Sequence, residues 1–174
     1  QSTNRRSQVF LDLFAGVGHV SKAWKRKGFA SMAFEIGSGS HFDLSSPPIQ
    51  KLLLGWIKSG VVAGVWLATP FGSWARARRG PRDLRGPPPP LRSSAQPCGL
   101  SDLTPEERVK VAVANHQVTF TCRVIRACVA MGVPAGLENP FSSIMWLHPG
   151  LSKLCNVVSA HSYKLHMCQY GARW

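Results

Sequence analysis

Four of the eight carboxylates in this chain of 174 residues lie within, or directly after, short apolar segments with the composition of β-strands. They are Asp12, Glu35, Asp43 and Glu138. Acidic side chains at the carboxyl ends of parallel strands meet at one edge of the sheet, where α/β proteins bind their ligands. Glu35 follows a glycine turn by about 20 residues, a spacing at which a carboxylate can accept hydrogen bonds from a ribose diol. The pattern therefore predicts a site for a nucleoside-containing cofactor.

The glycine turn stands between a predicted strand and a predicted helix. Residues 9–14 are apolar on both faces apart from Asp12, as the central strand of a parallel sheet requires. Gly16 and Gly18 permit positive φ and leave room for another molecule against the backbone, and residues 19–27 follow as a basic helix. Strand, turn and helix N-terminus together form a cofactor cradle. Because the third glycine of the dinucleotide fingerprint is absent, a tight turn without a ligand is the alternative interpretation.

Several short motifs in this order resemble those of the C5-cytosine DNA methyltransferases, which are class I enzymes that use S-adenosylmethionine. Residues 11–18, with the sequence L-D-L-F-A-G-V-G, resemble the first motif of that family. Phe34-Glu35 and Phe42-Asp43 resemble its second and third motifs. Glu138-Asn139 resembles its Glu-Asn-Val motif in place and in the first two residues, with Pro140 instead of valine. The resemblance covers roughly residues 9–140.

The resemblance implies that the cofactor is S-adenosylmethionine and indicates which residues would hold it. Glu35 would bind the ribose hydroxyls, and Asp43 would lie near the adenine amino group. The other cofactor-binding residues implied in this way are Asp12, Phe14, Ala15, Gly16, Gly18, Ile36, Leu44, Thr69 and Pro70. Glu138 would bond to N3 and the amino group of a target cytosine, with Asn139 beside it in the catalytic set.

The catalytic motif departs from the family at the residue that carries the chemistry. The family has a proline–cysteine pair there, and the cysteine attacks C6 of cytosine because a thiolate is both a good nucleophile and a good leaving group. This chain has Pro70-Phe71 at the matching place. Phenylalanine cannot form the adduct, so we expect no C5 methylation through Phe71. The domain is then an inactivated relative, an enzyme that methylates another atom of a differently held base, or a chain with an engineered substitution.

The charge of the chain predicts an anionic partner. Lysine and arginine outnumber the acids by 21 to 8, which gives a net charge of +13. Residues 76–92 contain six arginines and a run of four prolines, a composition that excludes a helix or a central strand. We interpret this segment, within an Arg/Pro-rich loop over residues 75–101, as a clamp on phosphates; a disordered basic linker is the alternative.

The predicted nucleic-acid-binding residues are Trp74, Arg76, Arg78, Arg79, Arg82 and Arg85. Two interpretations of Trp74 are open, since its ring could stack on a base or lie in the core. We favour DNA over RNA as the partner.

The remaining segments predict a single α/β domain. Residues 1–8 are interpreted as a flexible lead-in, and residues 9–174 as one methyltransferase-like domain with a Rossmann-like sheet and helices on both faces. Further strands are predicted over residues 30–36, 61–68, 134–137 and 156–167, and helices after Ser46, after Thr104, at 142–146 and at 149–155. Because the family's seventh strand would follow Trp174, we expect the sheet to be incomplete at its C-terminal strand.

Several other classes of protein are disfavoured. Five cysteines without a C-x-x-C spacing argue against a disulfide framework, and no zinc spacing appears among them and the six histidines, so no metal is predicted. Without a signal peptide or a run of 18 apolar residues, the sequence predicts no membrane partner and an intracellular location, with which a nuclear one is compatible. We expect a monomer or a part of a larger polypeptide.

The predicted function is that of a methyltransferase domain that binds S-adenosylmethionine and is directed at nucleic acid. Phe71 leaves open whether the domain turns the cofactor over. The alternatives are a catalytically silent nucleic-acid-binding module on the same scaffold and a Rossmann-like nucleotide-binding protein.

Overall fold

The computed structural model describes residues 8–78, 80, 87–158, 160–166 and 169. Four parallel strands form one sheet: β1 (Val9–Leu13), β2 (Ala30–Phe34), β3 (Val62–Leu67) and β4 (Ala135–Leu137). The helices are α1 (His19–Arg26), α2 (Pro47–Lys58), α3 (Pro105–Met131) and α4 (Pro149–Val157), with 3₁₀ turns over Ile36–Ser38, Ser40–Phe42 and Ile144–Leu147. The predicted α/β class is confirmed. The lead-in over residues 1–7 and Arg79, Arg82 and Arg85 lie outside the described residues.

Strand β1 is central, as its sequence predicts. The strand order is β2-β1-β3-β4, and Leu11 is in register with Met32 of β2 on one side and Val65 of β3 on the other. The side chains of Leu11 and Leu13 are fully buried. An apolar run buried on both faces is what a parallel sheet covered by helices requires.

Helices lie on both faces of the sheet. On one face, Leu53 and Ile57 of α2 and Phe120 of α3 share the main core with the buried leucines of β1. On the other face, α1 packs through Trp24, whose ring stacks on Phe10 at a centroid distance of 4.4 Å. The predicted arrangement of layers is therefore confirmed at the coarse level of an all-parallel sheet between helices.

The helix predicted after Thr104 is confirmed as α3. Thr104 and Glu107 form a reciprocal capping box, and Gly132, with φ 64°, ends the helix. The helix has 27 residues and carries charged side chains along its length. Among the described residues, no helix combines the length and apolar character that crossing a membrane requires.

The strand predicted over residues 156–167 is wrong. Asn156 and Val157 belong to α4, and residues 160–166 have no regular secondary structure. Tyr163 and Leu165 in this segment are exposed. The alternation of side chains on which the prediction rested did not determine a strand, since a strand also needs a neighbouring strand to receive its hydrogen bonds.

The described part of the Arg/Pro-rich loop is held against α3 by Arg92, which is only 2% exposed. Its guanidinium donates hydrogen bonds to Ser73 Oγ (3.1 Å), Pro97 O (2.7 Å), Asn115 Oδ1 (2.7 Å) and Val111 O (3.2 Å). It also lies over the ring of Trp74, with the guanidinium carbon 3.3 Å from the ring centroid. Burial lowers the pKa of Arg92 to about 10, which leaves the group charged at neutral pH. The linker alternative is therefore wrong for the segment around Arg92.

Trp74 belongs to the core. Its side chain is fully buried and packs with Val118 and Leu151, besides carrying the Arg92 guanidinium on its face. A ring enclosed in this way has no face for a base. The prediction that Trp74 stacks on nucleic acid is therefore corrected in favour of the core interpretation.

Replacing Arg92 by lysine should lower the free energy of unfolding by about 2–4 kcal/mol, because an ammonium cannot reach all four acceptors and leaves buried oxygens unpaired. Urea denaturation followed by tryptophan fluorescence measures this. Arg26→Lys is the matched control, since Arg26 is exposed at the end of α1 and should tolerate the change. Equal stability of the two variants would contradict the anchoring role of Arg92.

Candidate functional site

The carboxyl ends of the four strands lie at one edge of the sheet, as parallel pairing requires. This edge brings together the glycine turn after β1, Glu35 after β2, residues 69–71 after β3, and Glu138-Asn139 after β4. Residues that are far apart in the sequence thus become neighbours: Asn139 contacts Thr69, which lies 70 positions earlier in the chain. We call this region the carboxyl edge.

The turn after β1 has an unusual backbone. Phe14, Gly16 and Gly18 have φ angles of 58°, 53° and 71°, and Phe14 is the one described residue other than glycine with a positive φ. Holding a phenylalanine in this conformation costs about 1–2 kcal/mol, and such strain is concentrated at functional sites. A Cβ atom built on Gly16 would meet no atom within 4 Å, so the turn is open on that side.

Glu35 is attached directly to this turn. Its Oε2 atom accepts a hydrogen bond of 2.9 Å from the backbone N–H of Gly16, and the N–H of Ala15 donates to the carbonyl of Phe34. The other oxygen, Oε1, makes no hydrogen bond to the described residues. The exposed apolar side chains of Val17 and Ile36 flank the turn and the end of β2. A carboxylate oxygen that has no hydrogen bond to the described residues and lies between apolar groups is suited to a ligand with hydroxyls and a flat ring.

Asp12 has a different part in the site. It is 1% exposed, and its Oδ2 atom accepts a hydrogen bond of 2.8 Å from the backbone N–H of Ser21 in the first turn of α1. Burial raises the pKa of Asp12, and the Glu138 carboxylate nearby raises it further. The side chain fixes the start of α1 behind the glycine turn, so the cofactor role implied for Asp12 would be one of positioning.

The stability contribution of Asp12 should depend on pH in a defined direction. Because its pKa is raised in the folded state, the native protein takes up the proton first as pH falls, so acidification removes the cost of the buried charge. Asp12→Asn carries no such charge, so its stability relative to the wild type should decline as pH falls from about 7 toward about 4. Urea denaturation across this range measures the difference, with the exposed Asp102→Asn as control. If the free energy of unfolding of Asp12→Asn rose relative to that of the wild type as pH falls, the raised pKa of Asp12 would be contradicted.

Of the neighbouring residues Asp43 and Leu44, for which cofactor contacts are predicted, neither has its whole side chain available at the carboxyl edge. Asp43 Oδ1 accepts a hydrogen bond from the backbone N–H of Ser45 at 2.8 Å, which closes the turn before α2. The side chain of Leu44 is buried in the core, while its carbonyl accepts a hydrogen bond from Gln50. The contact implied for Leu44 could therefore come only from its backbone.

The loops after β3 and β4 are fixed to one another. Asn139 Nδ2 donates a 2.8 Å hydrogen bond to the carbonyl of Thr69, and the N–H of Glu138 donates to the carbonyl of Leu67. The hydroxyl of Thr69 is buried against that of Thr121 on α3 at 2.7 Å. Asn139 Oδ1 is buried without a hydrogen-bond partner among the described residues. Asn139 therefore holds the loops together, and the exposed Glu138 is the group that can meet a ligand.

Three of the four described cysteines are poor nucleophiles. Cys122, Cys128 and Cys155 lie in helices, and burial raises the pKa of each thiol, that of Cys128 to about 12. Thiols of this kind stay protonated at neutral pH. Cys98 is exposed in the segment anchored to α3, where its carbonyl accepts a hydrogen bond from Asn115, and Cys168 lies outside the described residues.

The predicted phosphate-binding arginines border the same loops. Arg76 Nε donates to the carbonyl of Ser142 at 2.9 Å, and Arg78 Nε donates to that of Pro89 at 2.8 Å. Both line a cavity of about 420 Å³ together with Arg92, Ser73 and Ser94. Part of each guanidinium is thus committed to the protein.

Sequence reasoning missed the residues that hold this region in place. Asn115 joins Arg92 to the Cys98 carbonyl, and the ring of the exposed His116 pairs with the buried Gln50 at 3.0 Å. Sequence reasoning also passed over Phe141, although Pro140-Phe141 repeats the pair Pro70-Phe71 at the end of the next strand.

Among the described residues, no group of three histidine, cysteine or acidic side chains could hold a metal ion. Comparison of the chain with models of protein families, with curated proteins and with solved structures finds no match.

Gly16→Ala should lower the free energy of unfolding by about 1–2 kcal/mol, because alanine is strained at φ 53° although it meets no neighbour. Gly37→Ala is the matched control: its Cβ also meets no atom within 4 Å, and its φ is not positive. The control should be neutral or gain up to about 1 kcal/mol. Thermal and urea denaturation measure the free energy of unfolding of both variants. If Gly16→Ala were as stable as Gly37→Ala, the positive φ of Gly16 would be contradicted.

Proposed function

We propose that this chain binds S-adenosylmethionine at the carboxyl edge and is a class I methyltransferase-like domain directed at nucleic acid. The observation that carries the proposal is the hydrogen bond between the Gly16 N–H and Glu35 Oε2, which joins a strained glycine turn to a carboxylate whose Oε1 atom makes no hydrogen bond to the described residues. This turn is better suited to a nucleoside with a charged amino-acid tail than to a dinucleotide. A dinucleotide-binding turn has a third glycine near the pyrophosphate, and this chain has Ser21 at that position.

The residues present fit this cofactor. Glu35 Oε1 would accept the ribose hydroxyls, the open side of Gly16 would admit the methionine part, and Ile36 would contact the adenine ring. Asp43 would lie on the adenine side of the same edge. The bound group would supply an electrophilic methyl on a sulfonium centre.

The chain's own groups support base binding better than C5 chemistry. Glu138 has an exposed carboxylate that could accept hydrogen bonds from an exocyclic amino group and a protonated ring nitrogen. Asn139 keeps that carboxylate beside the loop of Phe71 through its bond to Thr69. Phe71 offers an apolar ring and no pair of electrons for attack, so a covalent adduct at C6 has no donor in this loop.

A catalytically silent module is the second candidate. The exposure of Phe71 favours it, because a solvent-facing ring at the nucleophile position suits binding and not bond formation. Both candidates share an anionic partner, for which the net charge of +13 is the support. DNA is the favoured nucleic acid for both candidate functions. The methyltransferase would turn the cofactor over, and the silent module would not.

Isothermal titration calorimetry with S-adenosylmethionine tests the cofactor. The wild type should bind, and Glu35→Ala should bind about 5- to 150-fold more weakly, the equivalent of about 1–3 kcal/mol for buried hydroxyls that lose a charged acceptor. Glu35→Gln retains an acceptor for the Gly16 N–H and should fall between them.

Glu106→Ala is the control for the loss of one negative charge, because Glu106 is exposed at the start of α3, and it should bind like the wild type. Unfolding midpoints of all variants separate loss of the ligand contact from collapse of the turn. Absence of binding by the wild type would refute the cofactor assignment.

A further inference from the structure

The loops after β3 and β4 are equivalent in register and in sequence. Leu67 pairs with Leu137, and counting forward from that pair sets Pro70 level with Pro140 and Phe71 level with Phe141. Each phenylalanine thus stands four residues past its member of the leucine pair. Neighbouring strands are about 4.8 Å apart, so the two loops begin side by side.

Hydrogen bonds keep the two loops side by side beyond the strands. The N–H of Ile144 donates to the carbonyl of Trp74 at 3.0 Å, and Arg76 Nε donates to the carbonyl of Ser142 at 2.9 Å. With the bond from Asn139 to Thr69, these contacts connect the loops before and after the phenylalanines. The backbones that carry the two rings are therefore fixed relative to each other.

Both rings face solvent in a basic setting. Phe71 is 49% exposed and Phe141 is 75% exposed, and neither is in contact with another aromatic ring of the described residues. Lys164 Nζ lies over the ring of Phe141, 4.7 Å from its centroid, and Arg76 is bound to the residue that follows Phe141. Two exposed aromatic faces, with cations at the loop that carries Phe141, offer stacking and phosphate neutralisation at the same edge.

We propose that Phe71 and Phe141 form a paired stacking platform for unpaired bases, so that the partner at the carboxyl edge is a single-stranded segment of nucleic acid. This inference rests on the proposed function, which supplies a nucleic acid at this edge. In this proposal the accessible Phe71 and Phe141, and not the buried Trp74, are the residues that stack on bases.

The chemistry of the rings selects unpaired bases over a duplex. A phenylalanine has no hydrogen-bonding group with which to contact base edges in a groove, and it can engage only the face of a base. Inside a duplex these faces are covered by neighbouring base pairs, whereas a single strand exposes them. Arg76 and Lys164 would contact the phosphates between stacked bases, and Glu138 would accept hydrogen bonds from their amino groups.

Fluorescence anisotropy with the full 174-residue chain tests the platform. The probes are a labelled oligothymidylate of about 12 nucleotides and a duplex of the same length at low salt. Phe71→Ala and Phe141→Ala should each weaken single-strand binding roughly 5- to 150-fold, the range for the loss of one stacked base. Phe71→Trp should retain binding because it keeps an aromatic face, and Phe71→Leu should resemble Phe71→Ala because it does not.

Phe29→Ala is the matched control, since Phe29 is an exposed phenylalanine just before β2, at the opposite edge of the sheet, and it should bind like the wild type. Circular dichroism confirms that each variant is folded. If the wild type binds the single strand and the platform variants bind as tightly as Phe29→Ala, the platform is refuted while the nucleic-acid proposal stands. Equally tight binding of the duplex would also refute it. Failure of the wild type to bind either probe would refute the nucleic-acid part of the proposed function together with the platform.

Discussion

The pairing of β1 with a parallel strand on each side is the constraint on which the rest of the structure depends. It places the glycine turn between the ends of β2 and β3, so that Glu35 reaches the turn from one neighbour and the Phe71 loop begins beside it on the other. It also forces Asp12 into the interior. The amide of Ser21 makes that position tolerable and, by doing so, fixes the helix that follows.

Arg92 is a buried cation, whereas Asp12 is a buried acid, and its charge also has to be stabilised inside the protein. A cation with almost no exposure and no carboxylate among its described partners loses its hydration, and four oxygen acceptors together with the face of Trp74 offset that loss. The consequence is an ordered connection between the Arg/Pro-rich loop and α3. Part of the strong basic character of the chain is therefore structural and does not contribute to a surface for anions.

The sequence was sufficient for the elements that have a local signal. Three such signals can be recognised from a few consecutive residues: the apolar run of β1, the capping box of α3 and the prolines at the start of α2. The structure confirms all three. The glycine turn, Glu35 and Glu138 could be placed at one edge because parallel strands leave little choice. The predictions for Trp74 and for residues 160–166 were wrong because they depend on contacts with distant residues. No local pattern shows that the Arg92 guanidinium would stack on Trp74, or that residues 160–166 would lack a neighbouring strand. Phe141 was overlooked because its meaning depends on the register between β3 and β4, which only the pairing reveals.

Pro140 sets a covalent limit on the sheet at the carboxyl edge. Along β4, the N–H of Glu138 donates to the carbonyl of Leu67, and the next donor in a parallel ladder would be residue 140, directed at the carbonyl of Thr69. Residue 140 is a proline and has no N–H, so the side-chain amide of Asn139 takes the vacant acceptor instead. The pairing of β3 with β4 therefore cannot extend beyond Glu138 by a further backbone hydrogen bond from this strand, whatever motions the domain undergoes. The end of the sheet at this edge is set by the covalent structure of residue 140 and not by competition with water.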